Sequence, residues 1–304
     1  MSTQDDANDD LFPGFATHSV ETGSATIFAR SGGRGPGLLL LHGYPQSHAM
    51  WHRVAGRLAQ SHTVVVADLR GYGRSSCPPT DLEHRAYSKR AMAQDMLHVM
   101  RQLGFSRFAV AGHDRGGRVA YRLALDAPRA IEKLVILDII PTRDQWSAAN
   151  QRTRLKMFHW AFLAQPAPLP EGLIGNAPDD WLDARLKRGT MSRLIEALDP
   201  RAVADYRRYF RNSDHIHATC EDFRAGAHCD LDDDEADFAA GRRITCPTLM
   251  LWATQGPLVD IANPLELWKP WCLDLQGDAI ESGHFVAEEK PEALLARMEP
   301  FLAS

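Results

Sequence analysis

The stretch that decides the fold is Phe108-Ala-Val-Ala-Gly112-His113-Asp114-Arg115-Gly116-Gly117. An apolar run of strand character meets Gly112, and a helix-compatible segment starts at the pair Gly116-Gly117. The spacing is Gly-x-nucleophile-x-Gly with Asp114 at its centre. The glycines are required because the nucleophile sits on a sharp strand-to-helix turn, where neighbouring side chains would collide. A carboxylate in that position needs no base to activate it. It can attack an sp3 carbon, displace a leaving group and become an ester.

Outward from this turn the chain alternates. Residues 37–41, 63–68, 108–112, 133–138 and 247–253 are short apolar runs, and a further short strand is expected at 272–275. Residues 50–60, 90–103, 116–126 and 291–302 carry helical spacing, as does a shorter piece near 264–271. Residues 18–22 and 25–30 flank Gly23-Ser24 and suit an antiparallel hairpin. Continuous apolar strands alternating with helices predict an α/β fold, a mostly parallel twisted sheet with helices on both faces. The alternation stops at residues 141–243, where helical segments and a Pro-rich turn at 165–170 contain no strand-like run. An interruption of roughly 100 residues is too long for a loop. It predicts a helical cap at 141–243 inserted into one core made of residues 1–140 and 244–304.

The 304 residues hold 34 Lys and Arg against 39 Asp and Glu, a net charge of −5. Such a chain does not attract nucleic acid or anionic lipid by its overall field. Its longest apolar runs are strand-sized and too short to span a bilayer. Residues 1–10 are acidic and polar, unlike the basic start of a secretory signal. The 5 cysteines are widely spaced and form no C-x-x-C pair, which predicts reduced thiols in the cytoplasm and no zinc site. Gly71-Tyr-Gly73 lacks the third glycine of a dinucleotide fingerprint, so neither a cofactor nor a metal is expected. The acidic run Asp230-Leu-Asp-Asp-Asp-Glu-Ala-Asp237 lacks the glycine and distal glutamate of a calcium loop and reads as a solvated surface.

Three further features belong with Asp114. His42-Gly43-Tyr44-Pro45 follows a strand, where the backbone N–H groups of Tyr44 and Arg115 can converge on an oxyanion formed at Asp114. His284, in Glu281-Ser-Gly-His284, precedes the last helix at the place of a base. Asp138 closes its strand and can orient that histidine, with Asp260 as the alternative carboxylate. Arg115 and Arg118 lie three apart at the start of a helix, hence on one face. Two guanidinium groups beside a catalytic carboxylate can hold a substrate carboxylate.

The elbow, the His-Gly-x-Pro turn and the terminal histidine resemble the α/β-hydrolase superfamily. Within it, four segments resemble the fluoroacetate (haloacetate) dehalogenases. They are Gly112-His-Asp-Arg-Gly-Gly-Arg118, Leu137-Asp-Ile-Ile-Pro-Thr142, His159-Trp160-Ala-Phe-Leu-Ala-Gln-Pro-Ala-Pro-Leu-Pro170 and Cys220-Glu-Asp-Phe-Arg-Ala-Gly226. The resemblance covers nearly the whole chain after the acidic start. It implies hydrolysis of short 2-haloacids to 2-hydroxy acids and halide through an aspartyl ester, and a homodimer. It also implies that His159 and Trp160 bind the departing halide. The family's third halide donor is a tyrosine, and here the position is Phe223. Two alternatives stand beside this one. An epoxide hydrolase with the same Asp nucleophile would use two cap tyrosines, for which Tyr206 and Tyr209 are candidates. A non-catalytic binding protein on the same fold is the other.

Overall fold

The computed structural model describes residues 10–147, 151–260 and 263–304. The acidic stretch at 1–9 lies outside the described residues. Eight strands form one sheet: β1 (Ala16–Glu21), β2 (Thr26–Gly32), β3 (Gly37–Leu41), β4 (Thr63–Ala67), β5 (Phe108–His113), β6 (Ile131–Leu137), β7 (Thr248–Ala253) and β8 (Leu275–Ile280). Their order is β1-β2-β4-β3-β5-β6-β7-β8. The β1–β2 and β2–β4 pairs are antiparallel, and every later pair is parallel. Every residue of β3 and β5 is buried, which is why these strands read as unbroken apolar runs rather than alternating ones.

Helices α1 (His52–Leu58), α2 (Lys89–Gln102) and α3 (Arg115–Asp126) connect the strands of the first half. Between β6 and β7 come α4 (Thr142–Ser147), α5 (Gln151–Lys156), α6 (Phe158–Leu163), α7 (Leu169–Gly175), α8 (Pro178–Gly189), α9 (Pro200–Phe210), α10 (Ser213–Ala227) and α11 (Cys229–Ala239), with no strand among the described residues. Helices α12 (Pro264–Trp268), α13 (Val286–Glu289) and α14 (Pro291–Ala303) complete the chain. No helix of the described residues is long and apolar enough to cross a membrane.

The register aims the site. Leu41 lies beside Gly112, and His113 beside Leu137. The residues that follow these strands, His42 to Tyr44, Asp114 and Asp138, therefore emerge together at the carboxyl edge of the sheet. Chain order reverses around β3, and a crevice at such a reversal is where open α/β sheets bind ligands.

Two expectations need correction. The last strand is β8 at Leu275–Ile280, not 272–275; Cys272 makes only an isolated bridge to Ile244. Leu275-Gln-Gly-Asp-Ala-Ile280 is an edge strand with alternating exposure, so it lacks the apolar run that marks a central strand.

The acidic run is a solvated face only in part, with Asp232 and Glu235 exposed. It is helix α11, and Asp230, Asp234 and Asp237 are buried. Asp234 Oδ1 accepts from Arg122 Nη2 at 2.8 Å, and Asp237 pairs with Arg122 Nη1. The Tyr121 hydroxyl donates to Asp234 at 2.8 Å, and Asp230 accepts from the Lys89 backbone N–H at 2.7 Å. The carboxylates point inward because α2 and α3 present cations opposite them. They form an ionic seam between the inserted helices and the core. Removing one partner of a buried pair strands the other charge and typically costs about 3–5 kcal/mol. Arg122→Met is expected to lower stability by roughly that amount, read as a lower urea midpoint at unchanged slope. A midpoint within error of the native chain would show that the seam contributes nothing net.

Candidate active site

Asp114 sits between β5 and α3 with φ 48° and ψ −117°, a conformation that side-chain-bearing residues rarely adopt. Its neighbours make that possible. A Cβ on Gly112 would lie 2.3 Å from the Gly116 carbonyl oxygen, and one on Gly116 would lie 2.3 Å from the His42 carbonyl oxygen. The turn can thus close only on glycine at both positions.

Asp114 Oδ1 accepts from the Tyr44 backbone N–H at 2.9 Å. The Tyr44 turn is fixed from below: the Leu69 N–H donates to His42 Nε2 at 3.0 Å, which leaves the proton on Nδ1 for the Gly43 carbonyl at 3.0 Å. His284 Nε2 lies 3.8 Å from Asp114 Oδ2, and its Nδ1 is bonded to Asp138 Oδ2 at 2.6 Å. Asp138 also accepts from the Ala253 N–H at 3.0 Å. Asp260 pairs with Lys156 instead. Between the two candidate carboxylates, the histidine is joined to Asp138.

The backbone of His284 is held from two sides. Its N–H donates to the Gly189 carbonyl at the end of α8 at 2.7 Å, and its own carbonyl accepts from His113 Nε2 at 2.8 Å. Burial pushes His113 down to about 3, so it is a neutral donor. In the sequence, His113 occupies a variable x of the turn motif and carries no signal of this role.

The two arginines part company. Arg118 lines the cavity over Asp114; its Nη1 donates to the Ile140 carbonyl at 3.1 Å and to Thr142 Oγ1 at 2.9 Å, and its buried Nε has no partner. Arg115 is fully buried and does not line that cavity. Its Nε donates to Asp222 Oδ2 at 2.8 Å and its Nη2 to Oδ1 at 2.7 Å, leaving the buried Nη1 without a partner. Helical spacing put both on one face, as expected, but α10 lowers Asp222 onto only one of them. Asp222 also takes Lys89 Nζ and the Tyr72 hydroxyl, the latter at 2.7 Å. Burial opposes its ionisation, yet Arg115 and Lys89 outweigh it and hold Asp222 down at about 2.

The cavity has a volume of about 410 Å³ and is walled on the cap side by Met157, His159, Trp160 and Arg185. Burial, with Arg185 nearby, pushes His159 down to about 3, so its imidazole is neutral. Its buried Nδ1 has no partner. The Tyr44 ring stacks on His159 with centroids 6.1 Å apart, and Phe223 meets Tyr44, His159 and Trp160 edge-on at 5.2, 5.9 and 5.7 Å. Phe223 also lies 4.2 Å below the Arg115 guanidinium. Trp181 packs in the cap and donates from Nε1 to the Tyr44 hydroxyl at 2.6 Å. Tyr206 and Tyr209 do not line this cavity; the Tyr206 hydroxyl is bonded to Glu288 at 3.2 Å.

Residues 36–291 match the family described as alpha/beta hydrolase fold. The fluoroacetate dehalogenase of Burkholderia sp is 40% identical over 96% of this chain and 95% of its own length. This chain belongs to the haloacetate dehalogenase family of the α/β-hydrolase superfamily. A soluble epoxide hydrolase from Corynebacterium sp. (strain C12) is 29% identical over 100% of this chain and 99% of its own. The crystal structure of ALR0039 from Nostoc sp PCC 7120 superposes with a TM-score of 0.92 at 45% identity, covering 95% of this chain and 98% of that one. The chain is a hydrolase of this fold.

Charge dominates the centre. Burial pulls the His284 imidazole down, but the carboxylates of Asp114 and Asp138 outweigh it and raise it to about 10. The contact with His284, with help from Arg115, likewise holds Asp114 far below the usual carboxylate range against its burial. The resting pair is an imidazolium beside a carboxylate. Removing the Asp114 charge removes part of what raises His284, so Asp114→Asn must lower its pKa. A ¹⁵N NMR titration is expected to find His284 still protonated above pH 8 in the native chain and shifted down by at least about one unit in the variant. A native His284 titrating near its ordinary value would rule out this electrostatic account.

Proposed function

We propose that the chain hydrolyses the carbon–halogen bond of short 2-haloacids, giving the 2-hydroxy acid and halide through an ester on Asp114. The observation that carries this reading is a carboxylate at the elbow, facing a cavity whose wall includes Arg118 and ending a His284–Asp138 pair. The name of the Burkholderia relative supports the same reaction class.

The geometry divides the work between the two oxygens of Asp114. Oδ1 is held by the Tyr44 N–H, so Oδ2 is free to attack the α-carbon while Arg118 holds the substrate carboxylate. The carbon–halogen bond breaks with its electron pair leaving on the halide, toward the N–H groups of His159 and Trp160. Arg115, tied to Asp222, adds positive charge beneath the site, and its backbone N–H is the second oxyanion donor in this reading. Esterification removes the negative charge that kept His284 protonated. The imidazole then falls toward its ordinary range and can take a proton from water, which attacks the ester carbonyl. Oδ1 becomes the oxyanion at the Tyr44 N–H, and collapse breaks the bond from that carbon to the substrate oxygen. That oxygen leaves as the 2-hydroxy acid with the proton from His284, and the Asp114 carboxyl loses its proton to return as carboxylate. No residue in this sequence of steps requires a metal or cofactor.

His284→Asn is expected to stop after the first step. Incubation with bromoacetate should add the mass of a carboxymethyl group to Asp114, visible by intact mass and peptide mapping. A protein that stays unmodified while releasing bromide would sink the ester mechanism. The epoxide-hydrolase reading predicts turnover of a simple epoxide, but Tyr206 turns its hydroxyl to Glu288 and away from the cavity. An epoxide control run beside the haloacids separates the two. We further infer a localisation in the cytoplasm and a homodimeric state, the latter testable by light scattering.

Phe223 sets the halide preference in this reading. Its ring supplies no donor where it meets His159 and Trp160, and fluoride depends most on hydrogen bonds as it leaves. Loss of one donor to developing charge commonly costs about 10²–10³ in rate. Phe223→Tyr should therefore raise kcat/KM for fluoroacetate relative to bromoacetate by at least about tenfold, measured by halide release. If fluoroacetate is already the better substrate and the ratio does not move, the missing donor is irrelevant.

A further inference from the structure

The cavity is larger and more basic than a haloacetate requires. One carboxylate and one halide are matched by Arg118, His159 and Trp160, yet the volume of about 410 Å³ lies in the range that takes ligands of many more atoms. The remaining wall is cationic. Arg185, Lys187, Arg188 and Arg193, from α8 and the turn after it, all line the same cavity. Lys187, Arg188 and Arg193 are exposed, as solvated cations ordinarily are. Arg185 is different. Its guanidinium lies 4.9 Å from the Phe158 ring centroid and 5.5 Å from that of Trp181, and its Nε is buried without a hydrogen-bond partner. The neighbouring charge that bears on it is that of Arg188, and no carboxylate among the described residues pairs with it.

Arg185 is half-buried, but a buried donor such as its Nε usually has a partner. Two cations in or beside the cavity have anionic partners, Arg115 in Asp222 and Lys156 in Asp260. Arg185 has aromatic faces to stack on and no anion. Its donor set therefore matches a group that arrives with the ligand, and a planar guanidinium fits a carboxylate.

We propose that the preferred substrate is a 2-haloacid carrying a second anionic group, its far carboxylate received by Arg185 beneath the basic mouth of α8. This rests on the dehalogenase reading of Asp114 and extends it. The reaction is unchanged: Asp114 displaces halide from the carbon beside the near carboxylate, and water then releases the 2-hydroxy dicarboxylate with a proton. Arg118 and Arg185 bind opposite ends of the molecule, and the cap closes over its length.

The test compares dianions with monoanions of equal carbon number. Chloride release is measured in chloride-free buffer for 2-chlorosuccinate against 2-chlorobutanoate, and for 2-chloroglutarate against 2-chloropentanoate, with chloroacetate as the reference. In the native chain at least one dianion should exceed its monoanionic counterpart in kcat/KM by about tenfold or more, the scale of one charge-assisted contact. Arg185→Met should erase that ratio, and Arg185→Lys should keep part of it. Each ratio is taken within one variant, so a partial loss of folded protein cancels, and turnover of chloroacetate confirms a working site. A native ratio near or below one overturns the proposal. So does a ratio that survives Arg185→Met, since the basic mouth would then act only by long-range attraction. Failure of every haloacid, chloroacetate included, would instead remove the dehalogenase reading itself.

Discussion

Everything at the site depends on one turn of backbone. Asp114 is held at positive φ by a strand whose next-to-last residue is a glycine and a helix that begins near another, and both approaches are too close for any Cβ. Such a conformation costs on the order of 1–3 kcal/mol and persists only where the surroundings over-determine it. Here they do. Strand β5 is buried along its whole length, and the Arg118 N–H already closes a helical bond on the Asp114 carbonyl. The strained residue lifts its carboxylate clear of the sheet, where Tyr44 and His284 reach it from different strand ends.

The same helix that begins after Asp114 also fastens the inserted helices. Arg115 meets Asp222 near the start of α3, and Arg122 meets Asp234 and Asp237 two turns later. The inserted helices are therefore joined to the core by ions as well as by a continuous apolar cluster, and the ions demand partners at fixed positions. Such a joint ties the placement of His159 and Trp160 to the helix that carries the nucleophile.

Much of this was legible from residue spacing. The turn at 112–116, the ends of strands at Asp138 and Tyr44, and the histidine before the last helix are local patterns, and local patterns survive translation into three dimensions. The halt in strand alternation after residue 140 likewise marked where the helices α4 to α11 begin. What could not be read were pairings across long separations. Asp230, Asp234 and Asp237 looked solvated because the cations that bury them, Lys89 and Arg122, stand more than a hundred residues away. The Arg115 and Arg118 pair looked equivalent because helical geometry is symmetric about them, and only Asp222 from α10 breaks that symmetry. Edge strand β8 was displaced because an edge carries no apolar signature. Arg185 drew no notice, since an arginine on a helix is ordinary until its surroundings are known.

The backbone of His284 is bonded on one side to the core, through His113, and on the other to the cap, through the Gly189 carbonyl. The histidine is thus a joint between two bodies rather than a tool mounted on one. A cap that lifts away must break the Gly189 bond, and the imidazole then loses one of the two anchors that align it with Asp114. In the proposed ester mechanism, the water step would therefore require the Gly189 bond to be in place.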